Sequence, residues 1–390
     1  MNFDPVWLLL ALPAAFGLGW LASRLDLHQL RTHNRSAPQA YFKGLNHLLN
    51  EQQDAAIDAF IEAVQKDPDT SELHFALGKL FRRRGEYERA IRVHEHLLAR
   101  ADISSDARDQ AQHELAQDFL KAGLFNMAED ALRKLEKTSH AESAQLALLG
   151  IYERSREWQQ ALAAAQTLEG YGKGHDFSQR RAHFLCELAQ QALQNKQPDE
   201  ARTLLQQALE AAPHAARPRM QLAALEEAQG DLAAAWAVLE QALEHSPAAA
   251  PLMASTYARL AIATEQQDQA RSRLQTLQQT SPSIDLVDAL IALDAPTASA
   301  QALQDENGAG RYIAHLQHTP SLIAATRWLE HKQPLDDSKR DAIQRALQKA
   351  TQPLARYRCA ACGFAAQTHY WQCPGCHSWD SYPPRRVEEI

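Results

Sequence analysis

The feature that most constrains this chain is a recurrence of small and large apolar residues at intervals close to 34. Gly44, Ala56, Phe60, Ala63 and Pro68 are followed 34 residues on by Gly78, Ala90, His94 and Leu97 at the matching offsets. Ala116, Phe119, Gly123, Ala128, Leu132 and Leu135 form a third unit, and Leu149, Tyr152, Trp158, Ala161, Ala165 and Leu168 a fourth. A fifth has Ala189, Ala201, Leu205, Ala208 and Pro213; a sixth has Ala223, Gly230, Ala235, Leu239, Ala242 and Pro247; the last has Ala258, Ala270, Leu274, Leu277 and Pro282. Small residues fall where two helices must approach closely and large ones where a neighbour is covered, which is the packing logic of stacked helical hairpins. At 390 residues the chain is long enough for two or more domains, or for one extended repeat array, which needs no single large core.

The key alanines, Ala56, Ala90, Ala128, Ala161, Ala201, Ala235 and Ala270, are 34, 38, 33, 40, 34 and 35 residues apart, a drift that belongs to the loops between units. The frame resembles the tetratricopeptide repeat family over residues 37–283, about seven repeats. Composition agrees: 7% aromatic residues and an abundance of Ala, Leu, Gln and Glu favour an all-α chain. The widest interval holds Gly170-Tyr171-Gly172-Lys173-Gly174, which follows a helical pattern and ends in Gly174-His175. A phosphate-binding loop follows a strand and ends in Gly-Lys-Ser/Thr, so a flexible connector is expected instead. Residues 284–352 leave the repeat frame, and Leu286, Val287, Leu290, Ile291, Ile313, Leu316, Leu322, Ile323 and Trp328 suggest a helical cap.

From Val6 to Ala22 the chain carries no charge, bounded by Asp4 and Arg24. That length just suffices for a membrane-spanning helix, and the lack of a basic stretch before it favours a retained anchor over a cleaved signal peptide. Residues 1–23 are thus expected to be a transmembrane anchor and 24–36 a juxtamembrane linker. Arg24, Arg31 and Arg35 follow the span, which places the bulk of the chain on the cytoplasmic side.

A net charge of −8 offers no general attraction to phosphate backbones or anionic lipid. Locally, Lys79, Arg82, Arg83 and Lys121 are candidate partner-binding residues in the repeat groove, where they would attract an acidic segment. No catalytic residues are expected. His113-Glu114 begins like a metalloprotease motif, but position 117 is Gln, and no Gly-x-Ser-x-Gly occurs. Glu226-Glu227 and Asp336-Asp337 are read as solvated surface.

The last segment, residues 353–390, carries Cys359-Ala360-Ala361-Cys362 and Cys373-Pro374-Gly375-Cys376 with ten residues between them. Two residues between thiolates let a tight turn aim both sulfurs at one ion, and four thiolates complete a tetrahedral shell for one iron or zinc ion. Gly363 permits the left-handed backbone that such a turn needs, and Pro374 stiffens the second turn. His369 and His377 are alternative ligands, while Arg356, Arg358, Arg385 and Arg386 flank the site as a nucleic-acid-binding zinc ribbon would require. A closed four-thiolate site leaves no open position for hydrolytic chemistry; it is structural or, with iron, a one-electron carrier. Cys186 stands apart inside a helical pattern and is expected to be a small buried apolar residue.

The cysteine module resembles rubredoxin, although Cys376-His377 lacks the glycine found after the second pair. Anchor, repeats and the ending YRCAACGF…YWQCPGCHSWDSYPP together resemble the lipopolysaccharide assembly protein B family over essentially the whole chain. The resemblance implies a single-pass inner-membrane adaptor that regulates lipopolysaccharide biosynthesis. It implies as partners the membrane-bound FtsH protease and the lipid A-committing deacetylase whose degradation it promotes, along with other inner-membrane lipopolysaccharide assembly proteins. Self-association is left open, and the rival readings are an electron-transfer protein and a nucleic-acid binder.

Overall fold

All seven key alanines, Ala56, Ala90, Ala128, Ala161, Ala201, Ala235 and Ala270, are fully buried. Each lies one turn inside the second helix of its pair, where its amide bonds the carbonyl four residues before it, from Ala56 to Gln52 through Ala270 to Gln266. A side chain no larger than a methyl group lets the two helices of a hairpin close on one another. The computed structural model describes residues 42–47, 49–50, 52–66, 70–172, 174, 176–294, 307–331, 344–345 and 347–390. The anchor over residues 1–23, the linker over 24–36, Pro68 and Asp336-Asp337 lie outside the described residues. Among those that are described, no helix is long and apolar enough to cross a membrane.

The chain divides into two compact units, residues 1–151 and 152–390. The first holds helix Gln53–Lys66 and the pairs Ser71–Arg84 with Tyr87–Ala99 and Ser105–Ala122 with Phe125–Arg133. Its core joins Ala56, Phe60 and Ala63 to Leu73, Leu77, Phe81 and Ala90. Helix Ala141–Ser155, the first of the fourth repeat, carries the division between the units. The second unit continues with Trp158–Gly170, Ser178–Gln194 with Pro198–Ala211, Ala216–Ala228 with Leu232–His245, and Ala250–Ala263 with Gln267–Thr280. Helices Ile284–Asp294, Asn307–His318 and Leu322–His331 follow. Leu286 and Leu290 join the core of the seventh repeat, whereas Ile284, Val287, Tyr312 and Ile323 form a separate cluster. Ile313 and Leu322, expected inside the cap, are exposed.

Close approach is enforced at Gly78, where a Cβ would lie 2.5 Å from the ring of His94. Turns between the paired helices share one device. Gly85, Gly123, Lys196, Gly230 and Glu265, each seven residues beyond the small residue of its first helix, and Arg156, seven beyond Leu149, all have positive φ, between 58° and 87°. The next residue donates its amide back to the helix, as in Glu86 to Phe81, Glu157 to Tyr152 and Gln266 to Ala261. This satisfies carbonyls that a helix end otherwise leaves bare. Only three of the six positions are glycine, so half of these turns hold a side chain in the left-handed region.

Successive repeats are also tied by ion pairs. Arg202 bonds Glu226 through Nε at 2.9 Å and Nη2 at 2.8 Å, and Arg259 bonds Glu227. Glu226 and Glu227 were expected to be solvated surface; instead they link the fifth, sixth and seventh repeats, because consecutive residues on one helix face arginines of both neighbours.

Helix Trp158–Gly170, not a strand, precedes Gly172 and Gly174, and both have positive φ, as a connector requires. Cys186 is fully buried, and burial pushes its thiol up to about 12, which leaves it unreactive.

Candidate metal centre and its docking slot

The two cysteine pairs are presented by matching turns. Gly363 N donates to Cys359 O and His377 N to Cys373 O, each at 2.9 Å. Gly363 has φ +78° and His377 φ +60°, so the missing glycine does not change the backbone path; the histidine adopts the left-handed conformation at a cost. A short antiparallel pairing of Tyr357–Arg358 with Ala365–Ala366 closes the first turn, and a bridge between Gln372 and Trp379 closes the second.

All four sulfurs lie within 4.8 Å of one another. Across the turns, Cys359 Sγ is 3.8 Å from Cys376 Sγ and Cys362 Sγ is 3.6 Å from Cys373 Sγ. A tetrahedral ion with metal–sulfur bonds of about 2.3 Å requires sulfurs about 3.8 Å apart, so the donor set fits one such ion. Zinc and iron are both compatible with this geometry. Neither histidine belongs to the group: His369 Nε2 is bonded to Tyr382 O at 3.1 Å, and His377 faces solvent.

The thiols differ. Burial alone would raise Cys359, but Ser381 Oγ and the amides of Cys362 and Ala361 outweigh it and hold the thiol at about 6. Cys362 is pushed up to about 12: a bond from the Phe364 amide lowers it, but burial and the three neighbouring cysteine sulfurs prevail. Two positive charges at the centre would remove this conflict, since every sulfur can then be a thiolate.

The module is seated on the repeats of its own unit. Trp379, three residues after Cys376, stacks on His183 with ring centroids 4.7 Å apart and meets Trp158 and Phe184 edge-on at 6.0 and 5.9 Å. Its Nε1 donates to Glu153 Oε1 at 3.1 Å, a carboxylate that also receives both Nη2 contacts of Arg180 at 2.6 Å. Asp380 Oδ2 lies 2.8 Å from His183 Nε2, and Arg217 Nη1 approaches His183 Nδ1 at 3.4 Å, which leaves the ring proton on Nε2. Leu252 packs beside Tyr357, Cys359, Cys373 and Tyr382.

Two consecutive glutamates fasten the C-terminal tail. Glu388 accepts from the amides of Leu322 and Ile323 and from Ser321 Oγ, and Glu389 accepts from Ile284 N at 2.6 Å and Ser283 Oγ at 3.3 Å. Each carboxylate thus meets the positive end of one helix. Arg386 lies over the Tyr357 ring, grips Asp285 with two bonds of 2.9 and 3.2 Å, and donates to Ala355 O; Arg385 bonds Ser281. Two of the four arginines expected to face nucleic acid are therefore internal ties, which leaves Arg356 and Arg358 alone.

In the first unit the four basic residues separate into two kinds. Arg82 bonds Glu114 at 2.6 Å and Asp118 at 2.7 Å, and Lys79 bonds Glu114 at 2.9 Å. Asp118 also meets His94 Nδ1 at 2.5 Å, fully buried. Lys79 and Arg82 are thus neutralised by the next repeat, a pairing that periodicity does not reveal, while Arg83 and Lys121 are exposed.

Comparison with known proteins gives matches in both parts of the chain. The rubredoxin metal-binding domain model matches residues 357–383, and two tetratricopeptide repeat models match residues 73–108 and 186–251. Lipopolysaccharide assembly protein B of Escherichia coli K12 is 31% identical over 392 aligned positions, covering 97% of this chain and 98% of the relative. The protein of the same name from Haemophilus influenzae is 27% identical, covering 98% of each. A solved tetratricopeptide repeat protein from Parabacteroides merdae is 15% identical, with a TM-score of 0.33 over 66% of this chain and 99% of its own.

Proposed function

The chain belongs to the lipopolysaccharide assembly protein B family, a family of non-enzymatic repeat proteins, and on that premise we propose that it is an inner-membrane adaptor regulating lipopolysaccharide biosynthesis. The anchor expected at Val6–Ala22 holds the repeats on the cytoplasmic side, beside a membrane-bound protease of the FtsH type. The repeat surface engages the lipid A-committing deacetylase or the protease, with Arg83 and Lys121 available to acidic segments. Tethering then raises the local concentration of each for the other, and the deacetylase is degraded.

The observation that carries this reading is the seating of the metal module on the repeats. Trp379 and Asp380, supplied by the second cysteine turn, close against Glu153, Trp158, His183 and Phe184. A small module whose four convergent sulfurs would fill the shell of one ion, and which is fixed to a recognition array, suits presentation of a surface better than turnover.

The test is the half-life of the deacetylase in cells depleted of this protein and resupplied with wild type or the Cys359→Ser, Cys362→Ser double variant. Depletion should lengthen the half-life and only wild type should restore it. An unchanged half-life on depletion would overturn the adaptor reading and favour a one-electron role for the module, to be sought as a reversible iron signal.

A further inference from the structure

Beside the seventh repeat, a cavity of about 440 Å³ opens between helices Gln267–Thr280, Ile284–Asp294 and Asn307–His318. Its size lies within the range of small-molecule sites. One wall is apolar, made by Pro282, Val287 and Leu290; the facing side is formed by Gln278, Arg311 and His315.

His315 is the unusual member. It is 4% exposed, and its Nε2 has no hydrogen-bond partner in the protein. The proton can be placed. Gln278 Oε1 accepts from Ser283 N at 3.1 Å, so the amide nitrogen of Gln278 faces His315 Nδ1, also at 3.1 Å. Nδ1 is therefore the acceptor and Nε2 carries the hydrogen. Burial favours the neutral ring, against an opposing pull from Glu389 and Glu388, whose carboxylates are held by the two helix N-termini. A buried donor without an acceptor costs free energy that a fitting ligand recovers.

Charge on the same side points to the ligand's sign. Arg311 bonds Asp294 Oδ2 through Nε at 2.9 Å and Nη2 at 2.8 Å, while Arg271 Nε bonds Oδ1 of the same carboxylate at 3.1 Å. Two guanidinium groups thus share one carboxylate; the other acid on Arg271, Asp268, is almost fully exposed and its charge is screened by water.

We propose that this cavity binds a small monocarboxylate with an apolar body, in chemical class a medium-chain fatty acid. Its carboxylate accepts from His315 Nε2 beside Arg311, and its chain lies along Pro282, Val287 and Leu290. The site is separate from the cysteine centre and independent of the adaptor reading.

The test is calorimetric titration of octanoate into the full chain held in lipid nanodiscs, with empty nanodiscs subtracted. Saturable binding is expected, with no saturable binding of octylamine, which has the same body and the opposite charge. His315→Leu should weaken octanoate about tenfold, the loss of one hydrogen bond to a charged group, while His315→Gln, which keeps a donor, should stay close to wild type. Leu290→Trp, which fills the cavity, should abolish the signal. Absence of saturable heat from the wild type, or equal affinity for octanoate and octylamine, would overturn the proposal.

Discussion

His183 Nε2 and Asp380 Oδ2 lie 2.8 Å apart although 197 residues separate them in sequence. The imidazole is buried in the fifth repeat, whereas Asp380 belongs to the turn that follows the last cysteine and is partly open to solvent. Trp379 covers the ring and Arg217 backs it, so at this point the module meets the repeats through an aromatic plane framed by charges.

The first prediction concerns this pair. Asp380→Ala leaves a buried N–H without an acceptor and should destabilise the second unit by about 1–3 kcal/mol. Replacing His183 by Phe as well should recover part of that loss, since both polar groups are then gone. Chemical denaturation followed by tryptophan fluorescence, run as a double-mutant cycle, measures the coupling; purely additive losses would show that the pair does not hold the module.

Left-handed turns supply the second. Lys196 and Glu265 have φ of 60° and 58° at positions where other repeats carry glycine. Lys196→Gly and Glu265→Gly should each stabilise the protein by about 0.5–1 kcal/mol, because relief of Cβ strain exceeds the entropy that glycine adds to the unfolded chain. Thermal melting decides it, and a lower midpoint in both variants would contradict the account.

Acid should unfasten the second repeat from the third. Burial works against the Glu114 carboxylate, but bonds from Lys79 and Arg82 outweigh it and hold its pKa below the ordinary 4.5. A depressed carboxylate contributes stability that is fully present above the unfolded value and disappears as pH falls through the folded one. The stability difference between wild type and Glu114→Gln should therefore be constant near neutrality and shrink below about pH 4.5, as urea unfolding at a series of pH values would record.

Metal withdrawal gives the fourth. The cysteine module has strands of only two residues, and its buried cluster is small, so the bound ion is expected to supply much of its folding free energy. A strong chelator should alter the Trp371 and Trp379 fluorescence and speed proteolytic cleavage within residues 353–390. Cleavage within residues 71–133 should proceed at its former rate; equal acceleration there would mean that the ion stabilises more than its own module.

Much of this architecture is legible in the sequence because it is periodic or local. The alanines from Ala56 to Ala270 are all buried in the second helices of their pairs, as one recurring packing constraint demands. The four cysteines converge because a two-residue spacing on a tight turn dictates where both sulfurs point, and Gly363 turns as expected. The left-handed turns were harder to see: Gly123 and Gly230 mark two of them, but Arg156, Lys196 and Glu265 carry no local signal, since the hydrogen bond back to the helix overrides their preference.

By itself, then, the sequence determined the helical repeat, its frame and the convergence of four cysteine sulfurs, all consequences of short-range spacing. Only the tertiary structure decided which charges are free and where the module rests. Arg82 closes on Glu114, Arg202 on Glu226, Arg386 on Asp285 and Asp380 on His183, pairs that lie between 24 and 197 residues apart. Spacing along a chain fixes which residues share a helix face; which face meets which depends on how every intervening loop and turn adds up, and no local pattern encodes that sum.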